Sequence, residues 1–259
     1  MNNPSMTNIV LDSGSDTARR NEHRFLVNES VARLALRTSG TYLGLDRDDR
    51  PYQWSTTAYL DTYGWSVFRA AESGKALQLR VREYHRTRPN EILAGGAVYL
   101  EMKDDSASTS FKERYEVPTM SLPAYLRGEQ KMPRDKNGLV ERAERTIADG
   151  VRPVVVTQYN RIAYSAPDGS MRITADHNLM YLAIPWVTND VSSMPCRIGP
   201  VIAREPGVII EVKWFEELPR WADELYSYIR DHMVNERPSK FVVAMRHLLG
   251  EEQTGLAPS

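Results

Sequence analysis

The chain has 259 residues, with 33 Lys and Arg against 34 Asp and Glu, a formal charge of −1 and 41% hydrophobic residues. An aliphatic complement with 5 Trp and 13 Tyr excludes wholesale disorder, and the balanced charge excludes a general basic coat for nucleic acid. A single cysteine, Cys196, excludes an internal disulfide, and no apolar run nears the roughly 18–20 residues of a membrane span.

In chain order, residues 1–20 are polar and read as a flexible arm. Met1-Asn2-Asn3-Pro4-Ser5 carries no signal core, so a cytoplasmic location is expected. Strand-like alternation follows at Glu22–Val27, and Asn28 is placed to cap a helix containing Val31, Leu34 and Ala35. Further strands are predicted at Thr57–Thr62, Ala76–His85, Ala97–Asp104 and Thr109–Val117, with a turn at Asp104-Asp105-Ser106. The stripe Leu139, Ala143 and Ile147 predicts a helix over Lys136–Ala148. Strands then resume at Pro153–Ser165 and Met171–Ala183, joined by a Pro167-Asp168-Gly169-Ser170 hairpin, and at Gly207–Phe215. Pro219 opens a helix with Trp221, Leu225, Tyr228, Ile229 and Met233 at helical spacing. Ser239 caps a last one with Val242, Met245 and Leu249. Residues 251–259 read as a flexible tail, and 21–250 as one domain. The expected fold is mainly β (α+β), with eight antiparallel strands and peripheral helices.

Residues two apart on a strand share a face. By that rule Arg80, Arg82 and Tyr84 stand together, as do Glu101 with Lys103, Lys112 with Arg114, and Tyr159 with Arg161. Arg172 joins Thr174 and Asp176, Glu211 joins Lys213, and Glu22 joins Arg24. The opposite faces carry a fairly continuous apolar set, aliphatic and aromatic. A sheet with one wet face shows the same alternation. Two features point elsewhere: cations outnumber anions on these faces in a chain that is balanced as a whole, and arginine is the commonest of them. Arginine suits bidentate grip on phosphate or carboxylate.

If the strands close with these faces inward, the interior holds Arg24, Arg80, Arg82, Lys103, Lys112, Arg114, Arg161, Arg172 and Lys213. Glu22, Glu101, Asp176 and Glu211 are too few to balance them. Buried unpaired charge is expensive, so the missing counter-charge suggests a linear polyanion, for which a phosphate chain is the best fit. The carboxylates would then hold a divalent metal. Glu22 and Glu101 serve equally well to orient cations, and Asp176 to pair with Arg172. His23, His85, His177, His232 and His247 are scattered without ligand spacing, and no phosphate-loop motif occurs.

The ordered set Glu22-His23-Arg24-Phe25, Tyr59-Leu60-Asp61-Thr62, Arg80-Val81-Arg82-Glu83-Tyr84, Glu101-Met102-Lys103 and Lys112-Glu113-Arg114 resembles the VTC domain. The resemblance continues through Tyr159-Asn160-Arg161-Ile162-Ala163, Arg172-Ile173-Thr174-Ala175-Asp176, Glu211-Val212-Lys213 and Ser239-Lys240-Phe241. That domain is the polyphosphate polymerase module of the triphosphate tunnel metalloenzyme superfamily. The resemblance implies an eight-stranded antiparallel β-barrel tunnel that binds tri- or polyphosphate, or a nucleoside triphosphate, with Mg²⁺ or Mn²⁺. It implies phosphate contacts from Arg24, Arg80, Arg82, Lys103, Lys112, Arg114, Tyr159, Arg161, Arg172, Lys213 and Lys240. Catalysis is expected to centre on Arg80, Arg82, Lys103, Lys213 and Glu211. Glu211 is the principal expected metal ligand, with Glu22 and Glu101 as further candidates. Arg24 stands where the family usually carries lysine, which keeps the charge and changes the donor geometry. The regulatory SPX domain and membrane anchor of the eukaryotic polymerases are not expected here. Transfer to a growing chain, hydrolysis by water, and non-catalytic polyphosphate binding all remain open at this level.

Overall fold

Asn28 ends the first strand and starts the first helix. Its backbone is extended and its Oδ1 accepts a hydrogen bond from the Val31 amide at 3.0 Å. The computed structural model describes residues 21–46, 52–89, 98–104, 111–184 and 199–250. The expected arm and tail, Cys196 and the Asp105–Ser106 part of the predicted turn lie outside the described residues.

The strands are β1 (Asn21–Val27), β2 (Gly44–Leu45), β3 (Gln53–Asp61), β4 (Leu77–His85), β5 (Val98–Asp104) and β6 (Phe111–Val117). They continue as β7 (Arg152–Ser165), β8 (Met171–Ala183), β9 (Val201–Arg204), β10 (Val208–Trp214) and β11 (Asn235–Glu236). The helices are α1 (Glu29–Tyr42), α2 (Ser66–Glu72), α3 (Leu122–Leu126), α4 (Leu139–Ala148), α5 (Arg220–Asp231) and α6 (Lys240–Leu249). All eight predicted strands are present, within a few residues at their ends. Helix α4 starts at Leu139, later than predicted. Gly138 before it takes a left-handed φ of 71°, and the Asp135 carboxylate accepts from the Leu139 and Val140 amides at 3.2 and 2.9 Å. In the β7–β8 hairpin, Gly169 supplies the positive φ that the turn needs, at 74°.

All strands join one antiparallel sheet in the order β11-β1-β10-β8-β7-β3-β4-β5-β6, with β2 on β7 and β9 on β8. The expected closure into an eight-stranded barrel is not made by hydrogen bonds among the described residues. The free edge of β1 is already taken by the segment around β11, where the Val234 amide donates to Leu26 O at 2.7 Å and the Arg237 amide to Arg24 O at 2.9 Å. No ladder position on that part of β1 is left for β6.

Three apolar cores hold the sheet in place. Against β3–β6, the residues Ala58, Val81, Leu100 and Val117 meet Leu122 of α3 and Leu139 and Ala143 of α4. Against β1, β8 and β10, the residues Phe25, Ile173 and Ile210 meet Ala32 and Ala35 of α1 and Leu225 and Ile229 of α5. The third core lies on the opposite, charged face and fills one end of it. There Leu26, Tyr59 and Ile209 pack against Phe241, Val242 and Met245 of α6. The Phe241 ring stacks on Tyr59 at 5.2 Å. No helix among the described residues is long and apolar enough to cross a membrane.

Sequence reading missed helix α2. It is positioned by Asp61, a fully buried carboxylate in the last residue of β3. Asp61 accepts from the Thr62, Val67 and Phe68 amides at 2.7, 2.9 and 2.9 Å. Replacing it leaves three amide donors without their acceptor. Asp61→Ala should therefore lower unfolding free energy by about 2–4 kcal/mol in urea melts. A change below about 0.5 kcal/mol would show that the carboxylate does not hold the helix.

Candidate phosphate-binding face

Register decides which side chains share a surface. Across β1, β10 and β8, Arg24 stands opposite Glu211 and Glu211 opposite Thr174, while Glu22 stands opposite Lys213 and Lys213 opposite Arg172. Across β7, β3 and β4, Tyr159 is opposite Ser55, Thr157 opposite Thr57, and Thr57 opposite Arg82. Across β4, β5 and β6, Arg80 is opposite Glu101 and Glu101 opposite Arg114, with Lys103 opposite both Gln78 and Lys112. The predicted cations on the strands therefore stand on one face. Lys240 joins them from the first turn of α6, which Ser239 caps by accepting from the Val242 amide at 3.3 Å.

The carboxylates at the centre of this face are shielded: Glu101 and Asp176 have no solvent exposure and Glu211 has 5%, while most of their cationic neighbours are half-buried. The charges form two clusters. In the first, Glu101 receives Arg80 Nε at 2.8 Å, Arg82 Nη1 at 3.5 Å and Lys112 Nζ at 3.1 Å. Arg82 also donates from Nε to Thr57 Oγ1 at 3.0 Å. At the edge, the Arg114 guanidinium lies over the Tyr99 ring at 5.1 Å. Burial alone would raise the Glu101 carboxyl, but Arg82, Arg80 and Lys112 hold it well below the usual carboxylate range.

The second cluster has two centres. Asp176 takes a bidentate grip from Arg161, at 2.6 and 2.8 Å, and Lys240 Nζ at 2.7 Å. Glu211 receives Arg24 Nε at 3.0 Å, Lys213 Nζ at 3.2 Å and Arg161 Nη2 at 3.6 Å. Glu22 shares Lys213 at 3.1 Å and also pairs with Arg24. Burial opposes ionisation of Glu211, yet Lys213 and Arg24 lead a set of cations that keep its carboxyl well below the ordinary value. Tyr159, 2% exposed, lies between the clusters, with the Arg161 guanidinium and Lys240 Nζ over its ring at 5.1 and 5.0 Å. Burial raises its hydroxyl, but Arg161 and Arg82, one from each cluster, bring it below the ordinary phenol value.

The expected pairing of Asp176 with Arg172 is not found. Arg172 pairs with Asp46, and the buried Asp176 is claimed by Arg161 directly opposite it in the β7–β8 register. Sequence reasoning also passed over Ser55, Thr57 and Thr157, which line the same face. The period-two alternation that placed Tyr159 and Arg161 together would have found Thr157.

The residues fit a divalent metal at one place. The Glu22 and Glu211 carboxylates converge on a single ammonium, that of Lys213, so two hard oxygen donors face a common point. Such donors suit Mg²⁺ or Mn²⁺ completed by phosphate and water. Glu101 stands in the other cluster, engaged by three cations. Among the described residues no three His, Cys, Asp or Glu side chains gather in one metal-sized group.

The VTC domain family model matches residues 19–249, and the chain belongs to that family. Comparison with curated proteins returns no match. Among solved structures, a Bacillus halodurans protein provisionally named an adenylate cyclase aligns over 86% of this chain and 94% of its own, at 11% identity and a TM-score of 0.49. The PH1819 protein of Pyrococcus horikoshii aligns over 90% and 99%, at 13% identity and a TM-score of 0.43.

Lys112 offers a direct test of the first cluster. Burial, opposed by Glu101 but aided by Arg82 and Arg80, lowers its amine from 10.5 to about 7. Between those values the unfolded chain binds the extra proton, so this group makes stability rise with pH across that window. From pH 7 to pH 9, the melting temperature of the wild type should gain on that of Lys112→Met. Parallel curves for the two proteins would show that Lys112 keeps its proton throughout.

Proposed function

We propose that the charged face encloses a linear phosphate chain in a tunnel and that the protein is a metal-dependent, polyphosphate polymerase-like phosphotransferase drawing on a nucleoside triphosphate. The observation that carries this reading is the excess of cations on a face whose central carboxylates are buried. Arg24, Arg80, Arg82, Lys103, Lys112, Arg114, Arg161, Arg172, Lys213 and Lys240 stand against Glu22, Glu101, Asp176 and Glu211, with Asp46 on Arg172 and Glu116 exposed on β6. Positive charge of this density, partly withdrawn from bulk water, favours a polyanion. Membership of the VTC domain family supports the same class of ligand.

Phosphoryl transfer needs in-line placement and neutralised charge more than a covalent nucleophile on the protein. Arg80 and Arg82 present guanidinium donors held by Glu101. Arg161, Lys213 and Lys240 present theirs from the opposite cluster, and Lys103 and Lys112 contribute from the β5–β6 edge. A terminal phosphate oxygen of the growing chain attacks the γ-phosphorus, the bond to the β–γ bridging oxygen breaks, and the nucleoside diphosphate departs. Cations aimed at the oxygens where charge develops lower that barrier. Glu211, with Glu22, would hold Mg²⁺ or Mn²⁺, which when bound supplies further neutralisation of phosphate oxygens. In this reading Glu101 serves as the internal counter-charge that keeps Arg80, Arg82 and Lys112 in place.

Incubation with ATP and Mn²⁺, followed by gel separation of chains and an assay for free phosphate, tests the reaction. Long chains are the expected product. Orthophosphate without chains would make the protein a triphosphate hydrolase, and neither product would leave it a polyphosphate binder. Glu211→Gln should lower metal-dependent turnover by about 100-fold or more while calorimetric affinity for tripolyphosphate stays within about tenfold. Unchanged turnover in that variant would remove Glu211 from the mechanism.

A further inference from the structure

Between the two charged clusters the face is neutral and carries hydroxyls. Strands β3 and β7 form this wall, with Ser55, Thr57 and Thr157 turned to the charged side, and it runs on to Thr174 of β8, which stands inside the second cluster directly opposite Glu211. Thr57 already serves the protein, since its Oγ1 accepts from Arg82. Ser55, Thr157 and Thr174 do not. Their exposures are 1%, 0% and 1%, and among the described residues none of their hydroxyl oxygens has a hydrogen-bond partner. A buried hydroxyl left without a partner costs about 1–3 kcal/mol, so several on one small surface call for an explanation. The alternate positions on the same strands are apolar where they meet the back cores: Ala58, Val156, Ile173 and Ala175. Valine would pack as well as threonine if packing were the only demand.

We infer that Ser55, Thr157 and Thr174 form a hydroxyl belt that donates hydrogen bonds to the oxygens of a bound phosphate chain. The inference rests on the phosphate-chain reading above and adds neutral contacts to it. An anion attracted to both clusters passes along the wall between them, where hydroxyls meet its oxygens. Neutral donors suit this position physically. Another lysine or arginine would add repulsion to a face already in cationic excess before ligand arrives, whereas a hydroxyl adds a donor and no charge. The belt would also favour a chain over a single phosphate, because orthophosphate can sit in one cluster without reaching the wall.

The test is calorimetric titration of the full chain with tripolyphosphate and with orthophosphate, together with ligand-free thermal melts. The variants are Ser55→Ala, Thr157→Val, Thr174→Val and Thr157→Ser. Each of the first three should weaken tripolyphosphate binding by about three- to tenfold, and Ser55→Ala and Thr157→Val should change orthophosphate binding by less than about twofold. Their ligand-free melting temperatures should hold or rise, because a partnerless donor has been removed. Thr157→Ser, which keeps the hydroxyl, should bind tripolyphosphate within about twofold of the wild type. Wild-type affinity for tripolyphosphate in all three deletion variants would overturn the belt. So would a loss that Thr157→Ser fails to repair, or a loss matched by a fall in melting temperature, which would mean that the hydroxyls serve the fold. A wild type that binds no tripolyphosphate would defeat the parent reading, and the belt with it.

Discussion

Three carboxylates with almost no contact with water, Glu101, Asp176 and Glu211, hold together more positive charge than they can neutralise. The rest of the structure follows from that arrangement. A buried ion pair contributes little net stability, but losing one partner typically costs about 3–5 kcal/mol because the other charge is stranded. Each carboxylate here is shared among several cations, so the face is locked in geometry and remains positive in net charge. Rigidity and unsatisfied charge are what a site for a polyanion needs, since the donors are placed before the ligand arrives.

The stabilisation that tolerates such a face comes mainly from the other side of the sheet. The back cores are aliphatic and closed by α1, α5, α3 and α4, whose buried stripes match the strands they cover. Helix α6 does different work. It plugs one end of the charged side with Phe241, Val242 and Met245, and its first residue, Lys240, reaches Asp176. One short helix therefore both seals the apolar end and adds a cation, which places Lys240 among strand residues far from it in sequence.

The strands were legible in the chain because period-two alternation is strong wherever one face is apolar and the other charged. The caps at Asn28 and Ser239 and the turn at Gly169 were legible because each depends on one or two neighbouring residues. Helix α2 was not. It follows Trp65, a non-glycine residue in the left-handed region with φ of 57°, and its cap comes from Asp61 at the end of the preceding strand. In sequence, Asp61 stands only within the Tyr59-Leu60-Asp61-Thr62 segment of the family resemblance, with nothing local to mark it as a cap. Arg172 and Asp176 share a strand face, which suggested a pair, but the antiparallel register sets Arg161 directly against Asp176 and leaves Arg172 to Asp46.

By itself the sequence determined the eight longer strands, which of their residues share a face, and that this face carries an excess of cations, because these follow from backbone periodicity and composition. The short β2, β9 and β11 were not legible. Tertiary structure alone decided the partners. The shift of register at the β7–β8 irregularity, with Asn178 at a φ of 54°, brings Leu179 and Tyr181 onto the charged side with Asp176. The 234–237 segment takes the edge of β1 that a closed barrel would have used. The cations gathered from different strands, with Lys240 of α6, then shield Glu101, Asp176 and Glu211 from water. Such outcomes depend on contacts between segments distant along the chain, and alternation within one strand carries no information about what stands across from it.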